Sequence, residues 1–127
     1  AGLTVRHLLD LTAGYEPQGE GTVSDSYAGW ALTRPLAADP GTTWSYDEPL
    51  YKVLSTLVRG VDDRGMLGAA RDELFRPLGI AGAARRWPVD RWGDAEGAAG
   101  LRMTARELLT LGELYRQPHV QAALAEA

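Results

Sequence analysis

The chain has 127 residues, of which 45% are hydrophobic and 24% are charged, as in one folded globular domain and unlike a disordered chain. Its formal net charge of −4 argues against a nucleic-acid-binding surface, and its lack of cysteine excludes disulfides, a thiolate nucleophile and cysteine-bound zinc. No apolar stretch approaches the length of a membrane span, and the beginning of the sequence has no signal-peptide pattern, so the compartment stays open.

Apolar residues at helical spacing predict a short first helix within residues 3–14. Thr4 is a suitable N-cap for this helix, and Gly14 is a stop signal. The predicted apolar face carries Val5, Leu8, Leu9 and Thr12.

Residues 15–24 are polar and turn-forming, so they predict a loop. A second short helix is predicted over residues 25–36, with Tyr27, Trp30 and Ala31 at helical spacing until Pro35 interferes. Residues 39–46 begin with turn chemistry and continue with types that favour an extended backbone, which predicts a turn into an ordered loop.

The clearest helical pattern covers residues 49–61, where Pro49 falls in the first turn and loses no hydrogen bond. Its apolar positions are Leu50, Val53, Leu54, Leu57, Val58 and Val61. Asp62 or Asp63 is a candidate cap for the next helix, which ends before residues 77–79. That helix has an apolar face formed by Met66, Leu67, Ala70, Leu74 and Phe75.

Residues 81–100 are rich in Gly, Ala, Asp and Pro and predict a long loop, anchored by Trp87 and Trp92. A capping box at residues 104–107 starts a helix that ends at Pro118. That helix carries Leu108, Leu111, Leu114 and Tyr115. Pro118 starts a further helix, with Val120 and Leu124 facing inward. The expected fold is therefore mainly α, with about five to six helices, long loops and no large sheet, in one domain over residues 1–127.

The residues by themselves do not form a complete catalytic set. None of the four serines lies in a Gly-x-Ser-x-Gly motif, and the position three residues before Lys52, the only lysine, is Pro49, so Ser-x-x-Lys is absent. His7 and His119 lie in ordinary helical runs and have no metal-ligand spacing. We therefore expect neither a metal site nor a cofactor.

Four segments carry a resemblance to a known family. Residues 3–14, 40–46, 73–79 and 100–108, in this order and at fitting intervals, resemble serine β-lactamases and penicillin-binding proteins. The most similar branch comprises class C β-lactamases, D-alanyl-D-alanine carboxypeptidases and related esterases. The similar segments extend from residue 3 to about residue 115, so the resemblance covers nearly the whole chain.

The resemblance implies a helical lobe inserted in an α/β lobe, with an active site between the two. In that family a Ser-x-x-Lys helix precedes this region, a Tyr-x-Asn loop lies within it, and a Lys-Thr-Gly or His-x-Gly strand follows it. Tyr46 matches the family tyrosine, which assists proton transfer to and from the serine and the leaving group. The alternative is that Tyr46 only anchors its loop.

The sequence departs from the family where Glu48 replaces the asparagine. An asparagine amide both donates and accepts hydrogen bonds, whereas an ionised glutamate only accepts them, so recognition of amide substrates is in doubt. Glu48 is predicted either to bind substrate or the family lysine, or to be a solvated residue of the first helical turn. Trp44, beside the tyrosine, either lines a substrate pocket or packs in the core.

The sequence thus predicts the helical lobe of a larger two-lobe serine hydrolase, a fragment that is inactive by itself. Its expected partners are the α/β catalytic lobe and, in the complete enzyme, a small acyl substrate: a β-lactam, an amide or an ester. A helical binding module that descends from this lobe and has lost its chemistry is the alternative. The parent reading frame separates these two hypotheses.

Overall fold

The computed structural model of the protein describes residues 2–17 and 26–126, with side chains up to residue 123. The described part is mainly helical, which confirms the predicted class. Its α-helices are α1 (Val5–Leu9), α2 (Tyr27–Leu32), α3 (Pro49–Val61), α4 (Gly65–Ala69), α5 (Ala105–Tyr115) and α6 (Pro118–Glu126). A π-helical turn, Ala70–Phe75, continues α4, and Ala81–Arg86 form a 3-10 helix. In the described ranges, β pairing is limited to two isolated bridges, Tyr15 with Leu36 and Val89 with Ala95.

Helix α1 begins as predicted, because the Thr4 hydroxyl accepts a hydrogen bond from the His7 N–H. It ends earlier than predicted, because Leu11 adopts a left-handed conformation with φ 56°. The N–H groups of Leu11 and Thr12 donate back to the carbonyls of Leu8 and His7, which is the Schellman termination. The predicted apolar face is wrong in part: Leu8 is buried, but Val5 and Leu9 are exposed.

Helix α2 is capped by the Ser26 hydroxyl, which accepts a hydrogen bond from the Gly29 N–H. It ends at Thr33, since the residue before a proline disfavours the helical conformation and Arg34 precedes Pro35. The predicted start at residue 25 and residues 18–24 of the predicted loop lie outside the described residues.

Helix α3 has the predicted bounds, with Pro49 in its first turn. Its apolar face is buried at Leu50 and Val53, whereas Leu57 and Val61 near its C-terminus are exposed, contrary to expectation. With Leu8, Ala13, Ala28 and Ala31, the two buried residues form one core cluster. Helices α1, α2 and α3 therefore share one small core.

The predicted helix after α3 is present, but neither aspartate caps it. The Asp62 carboxylate instead accepts from the Arg64 N–H at 2.9 Å, and α4 has no side-chain cap. The chain then buries Phe75 in a second core cluster with Ile80, Ala83 and Ala84.

The predicted loop over residues 81–100 needs two corrections. Its first six residues form the 3-10 helix, because Ala83 and Ala84 turn inward beneath Phe75. Trp87 is an anchor as predicted: it packs on Phe75 and donates its indole N–H to the Glu96 carbonyl at 2.9 Å. Trp92 is exposed, so the prediction that it anchors the loop is wrong.

Helix α5 has the predicted capping box, in which Thr104 and Glu107 exchange side-chain and backbone hydrogen bonds. The side chain of Leu124 in α6 lies outside the described side chains, and Val120 is half-buried. In the described part of the chain, no helix combines the length and the hydrophobicity needed to cross a bilayer.

Candidate active site

The tyrosine loop, residues 40–47, is fixed by the turn that ends α1. The Gly41 N–H donates to the Thr12 carbonyl at 2.7 Å, and the Ser45 N–H donates to the Leu11 carbonyl at 2.9 Å. The left-handed conformation of Leu11 therefore leaves two carbonyls directed at this loop. The residue before Tyr46 is thus held by a backbone hydrogen bond.

The side chains of the loop alternate between the protein surface and its interior. Trp44 and Tyr46 are 65% and 59% exposed, whereas Ser45 is half-buried and Asp47 is buried. Such alternation is typical of an extended segment, in which neighbouring side chains point in opposite directions. Trp44 is therefore not a core residue, and both aromatic rings lie on the outer side of the loop.

Asp47 is held by a buried ion pair with Arg34. The two guanidinium nitrogens lie 3.1 and 2.6 Å from the two carboxylate oxygens, and the side chains are 2% and 0% exposed for Asp47 and Arg34. The Arg34 guanidinium also lies over the rings of Tyr15 and Trp30. The C-terminal end of the tyrosine loop is thus anchored as firmly as its middle.

Glu48 precedes α3 and is exposed, and its side chain does not cap the helix. It lies at a cavity of about 340 Å³, which is also lined by Tyr27, Lys52, Asp90, Trp92 and Glu96. Trp44 and Tyr46 are not part of this lining. The structure therefore places Glu48 at a cavity and the two aromatic residues on the adjoining surface.

Lys52 joins α3 to the loop opposite. Its ammonium lies 3.0 Å from the Asp90 carboxylate and 3.7 Å from that of Glu96. It also donates to the carbonyls of Asp94 and Ala95 at 3.1 and 3.0 Å. These four contacts hold the lysine within the wall of the cavity.

The lining of this cavity carries three carboxylates and one ammonium, so its formal charge is negative. Burial raises the pKa of the Tyr27 phenol, and the charge of Glu48 raises it further, against a lowering by Arg34. Burial also raises the pKa of Asp90, but the hydrogen bonds from Lys52 and from two backbone N–H groups outweigh it and hold that pKa below its ordinary value. Asp90 is therefore a structural carboxylate that stays ionised.

Two of the three serines described in the structure have local structural roles. The Ser55 hydroxyl is fully buried and donates to the Met66 sulfur at 3.1 Å, and Ser26 caps α2. Ser24 lies outside the described residues. In residues 2–17 and 26–126, no group of three His, Asp or Glu side chains is arranged to hold a metal ion.

Sequence reasoning predicted Trp44, Tyr46 and Glu48 as site residues, but it did not predict that Arg34 and Lys52 are buried near them. Arg34 and Lys52 are buried although arginine and lysine are rarely so. The sequence contained one indication that Lys52 is buried, because it lies between the apolar positions Leu50 and Val53 of an amphipathic helix. Its acidic partner, however, is 38 residues away in the sequence.

We compared the sequence with models of known protein families and with curated proteins. The family model described as Beta-lactamase matches residues 1–127, the whole chain. A comparison with curated proteins found no match.

Proposed function

The chain belongs to the beta-lactamase family, and we propose that it is the helical lobe of a serine hydrolase in which Tyr46 takes part in acyl transfer. The serine nucleophile and its lysine come from a Ser-x-x-Lys helix of the α/β catalytic lobe. The substrate is a β-lactam, an amide or an ester. The reaction passes through an acyl-serine intermediate.

The observation that carries this proposal is the exposure of Tyr46 in a loop that is fixed on both sides of it. Ser45 is bonded through its backbone to Leu11, and Asp47 is bonded through its side chain to Arg34. A tyrosine that served only to pack the loop would be buried, yet Tyr46 is 59% exposed. A rigid loop that presents a phenol outward suits proton transfer, because catalytic groups work best when they are held in place in advance.

The proposed role of Tyr46 is to relay a proton. As the serine oxygen attacks the acyl carbon, the serine hydroxyl proton passes to the base formed by the tyrosine oxygen and the lysine. When the tetrahedral intermediate collapses, the same proton passes to the leaving group, and the bond between the acyl carbon and the leaving group breaks. Water then attacks the acyl carbon and gives a proton to the same base, the bond between the acyl carbon and the serine oxygen breaks, and the proton returns to the serine as the acid leaves.

Glu48 is proposed to contact the substrate or the lysine of the catalytic lobe. Its carboxylate only accepts hydrogen bonds, so it suits a donor such as a substrate N–H or the lysine ammonium. It is exposed, and it is not engaged in capping α3. Trp44, which is also exposed, is proposed as an apolar wall for the acyl group.

The proposed partner of this chain is the α/β lobe. Large apolar side chains are exposed on the tyrosine loop and again on α5, which leaves two surfaces suited to burial by a second lobe. Those on α5 are Leu108, Leu109 and Tyr115.

Tyr46→Phe in the full-length protein tests the proposal. The substitution removes the hydroxyl and keeps the ring, so kcat/KM should fall about 10²-fold while the melting temperature stays unchanged. Tyr51→Phe is the matched control, because it removes the hydroxyl of a half-buried tyrosine in α3 that does not line the cavity. If Tyr46→Phe keeps the full rate, the chain is better described as a non-catalytic binding module.

A further inference from the structure

We infer that the buried Arg34–Asp47 ion pair is a positioning device that sets the direction of the Tyr46 side chain. This inference rests on the proposed function of Tyr46. Neither residue touches the reacting atoms, so both are positioning residues that act through their neighbour in the tyrosine loop.

The guanidinium of Arg34 and the carboxylate of Asp47 form a bidentate contact. Two nitrogens of Arg34 bind the two oxygens of Asp47 at 3.1 and 2.6 Å. Such a bidentate contact fixes the plane of the carboxylate as well as its distance, which a lysine ammonium cannot do. Because the carboxylate is only two bonds from the Asp47 backbone, fixing it also fixes the backbone beside Tyr46.

Arg34 is itself immobilised by the surrounding structure. Its Nε donates to the Ala31 carbonyl at 3.0 Å, and one terminal nitrogen donates to the Glu16 carbonyl at 3.1 Å. The rings of Tyr15 and Trp30 lie 5.5 and 5.4 Å from the centre of the guanidinium. The end of α2 and the segment after α1 therefore hold the Arg34 guanidinium in the position in which it binds Asp47.

Stability alone is a poor reason for this pair. A buried ion pair loses so much hydration that well-packed apolar residues of similar volume are often as stabilising or more so. The pair lies against aromatic rings, surroundings that suit an apolar replacement. An apolar pair would also point inward, but it packs without hydrogen bonds that fix its rotation, whereas the two-point contact of the ion pair fixes the plane of the Asp47 carboxylate.

The direction of Asp47 determines that of Tyr46. Asp47 is buried and its neighbour Tyr46 is exposed, so the two side chains point to opposite sides of the loop, and an inward Asp47 directs Tyr46 outward. Without the bidentate contact, the tyrosine loop is free to change its conformation. A displacement of about 1 Å of a catalytic group can lower a reaction rate about 10²-fold.

The test compares an apolar pair with the native pair in the full-length protein. In Arg34→Met/Asp47→Leu, kcat should fall about 10²-fold while KM changes little, because the loop loses its directional contact. The melting temperature should fall by several degrees, because the carbonyls of Ala31 and Glu16 also lose a donor, so rates are compared well below it. Arg34→Lys, which keeps the charge without the bidentate contact, should lower kcat in the same direction. It carries the test if the double variant does not fold. Glu73→Gln is the control, since it removes the charge from an exposed contact with Arg64 of 2.9 Å far along the chain.

Repeating the substitutions in a Tyr46→Phe background separates the two proposals. If the pair acts through Tyr46, its replacement should slow the Tyr46→Phe enzyme by no more than about twofold. Equal slowing in both backgrounds, or no slowing in either, overturns the positioning role. If Tyr46→Phe alone keeps the full rate, it is the proposed function that fails.

Discussion

The strongest stability prediction concerns Lys52, which is only 4% exposed in its side chain and joins α3 to residues 90–96. In Lys52→Met the apolar stem is retained and the ammonium is removed. Asp90, at 15% exposure, then loses its buried partner, and the carbonyls of Asp94 and Ala95 lose a donor. The contact with Glu96 contributes little, because it is longer and that carboxylate is 42% exposed.

The magnitude follows from these contacts. Breaking a buried ion pair by removing one partner costs about 3–5 kcal/mol. Asp90 keeps backbone hydrogen bonds from the N–H groups of Trp92 and Asp94, both at 2.9 Å. The free-energy cost of losing the ion pair should therefore lie at the lower end of this range. The Asp94 carbonyl still accepts from the Asp90 N–H at 2.9 Å, whereas the Ala95 carbonyl loses its donor at a cost of about 1 kcal/mol. The expected loss is therefore about 3–5 kcal/mol in all, or about 10–20 °C in melting temperature.

Equilibrium urea unfolding, followed by circular dichroism, measures this loss. Arg116→Met is the matched control: its exposed contact with Glu113 spans 3.5 Å, so its free energy of unfolding should change by no more than about 0.5 kcal/mol. A change below about 1 kcal/mol for Lys52→Met would refute the reasoning about this buried charge.

The pH dependence of stability gives a second check on the same residue. The pKa of Asp90 is lower in the folded chain than its ordinary value, so the folded state is stabilised while this carboxylate is ionised. That contribution is complete above the unfolded pKa of about 3.9 and is lost as the pH falls through the lower folded pKa. Lys52→Met removes part of the lowering, so its stability should depend less steeply on pH in this acidic range.

Three further predictions concern other parts of the chain. Gly97→Ala should lower stability by about 1–3 kcal/mol, because a Cβ there would lie 2.5 Å from the Ser55 hydroxyl and the Tyr51 carbonyl; Gly112→Ala, with nothing within 4 Å, should not. Urea titrations compare the two, and equal stabilities would contradict the close packing. Glu48→Asn in the full-length protein should raise the ratio of amide to ester kcat/KM, since it restores a donor; an unchanged ratio would assign Glu48 to the solvated surface. The isolated chain should form no penicillin adduct in an intact-mass measurement, and a stoichiometric adduct on any serine would contradict the two-lobe proposal.

The sequence by itself determined the elements whose stabilising contacts lie within four or five residues. The bounds of α3 follow from apolar spacing and from Pro49, and the start of α5 follows from the exchange of hydrogen bonds between Thr104 and Glu107. The turn into the tyrosine loop is equally local. These interactions form inside one helix or one turn, so a short window of sequence contains all the partners.

The sequence also located the candidate site but not its geometry. Trp44, Tyr46 and Glu48 were chosen by their resemblance to a motif, and that choice stays a prediction. Their exposure was not readable from the motif, because an aromatic residue in a short extended segment suits either side of it. The partner that holds the inward side, Arg34, lies 13 residues before Asp47.

Tertiary structure alone decided which charges are buried and which apolar residues are exposed. Lys52 is buried because the packing of the chain brings Asp90, a residue distant in sequence, to within 3.0 Å of its ammonium. Val61, in contrast, is exposed although it continues the apolar face of α3. Leu11 takes a left-handed conformation while its carbonyl accepts from Ser45, a contact across 34 positions. The type of a residue determines the free-energy cost of burying it without a partner. Whether a partner is present depends on how segments distant in sequence pack, and a local sequence pattern does not contain that information.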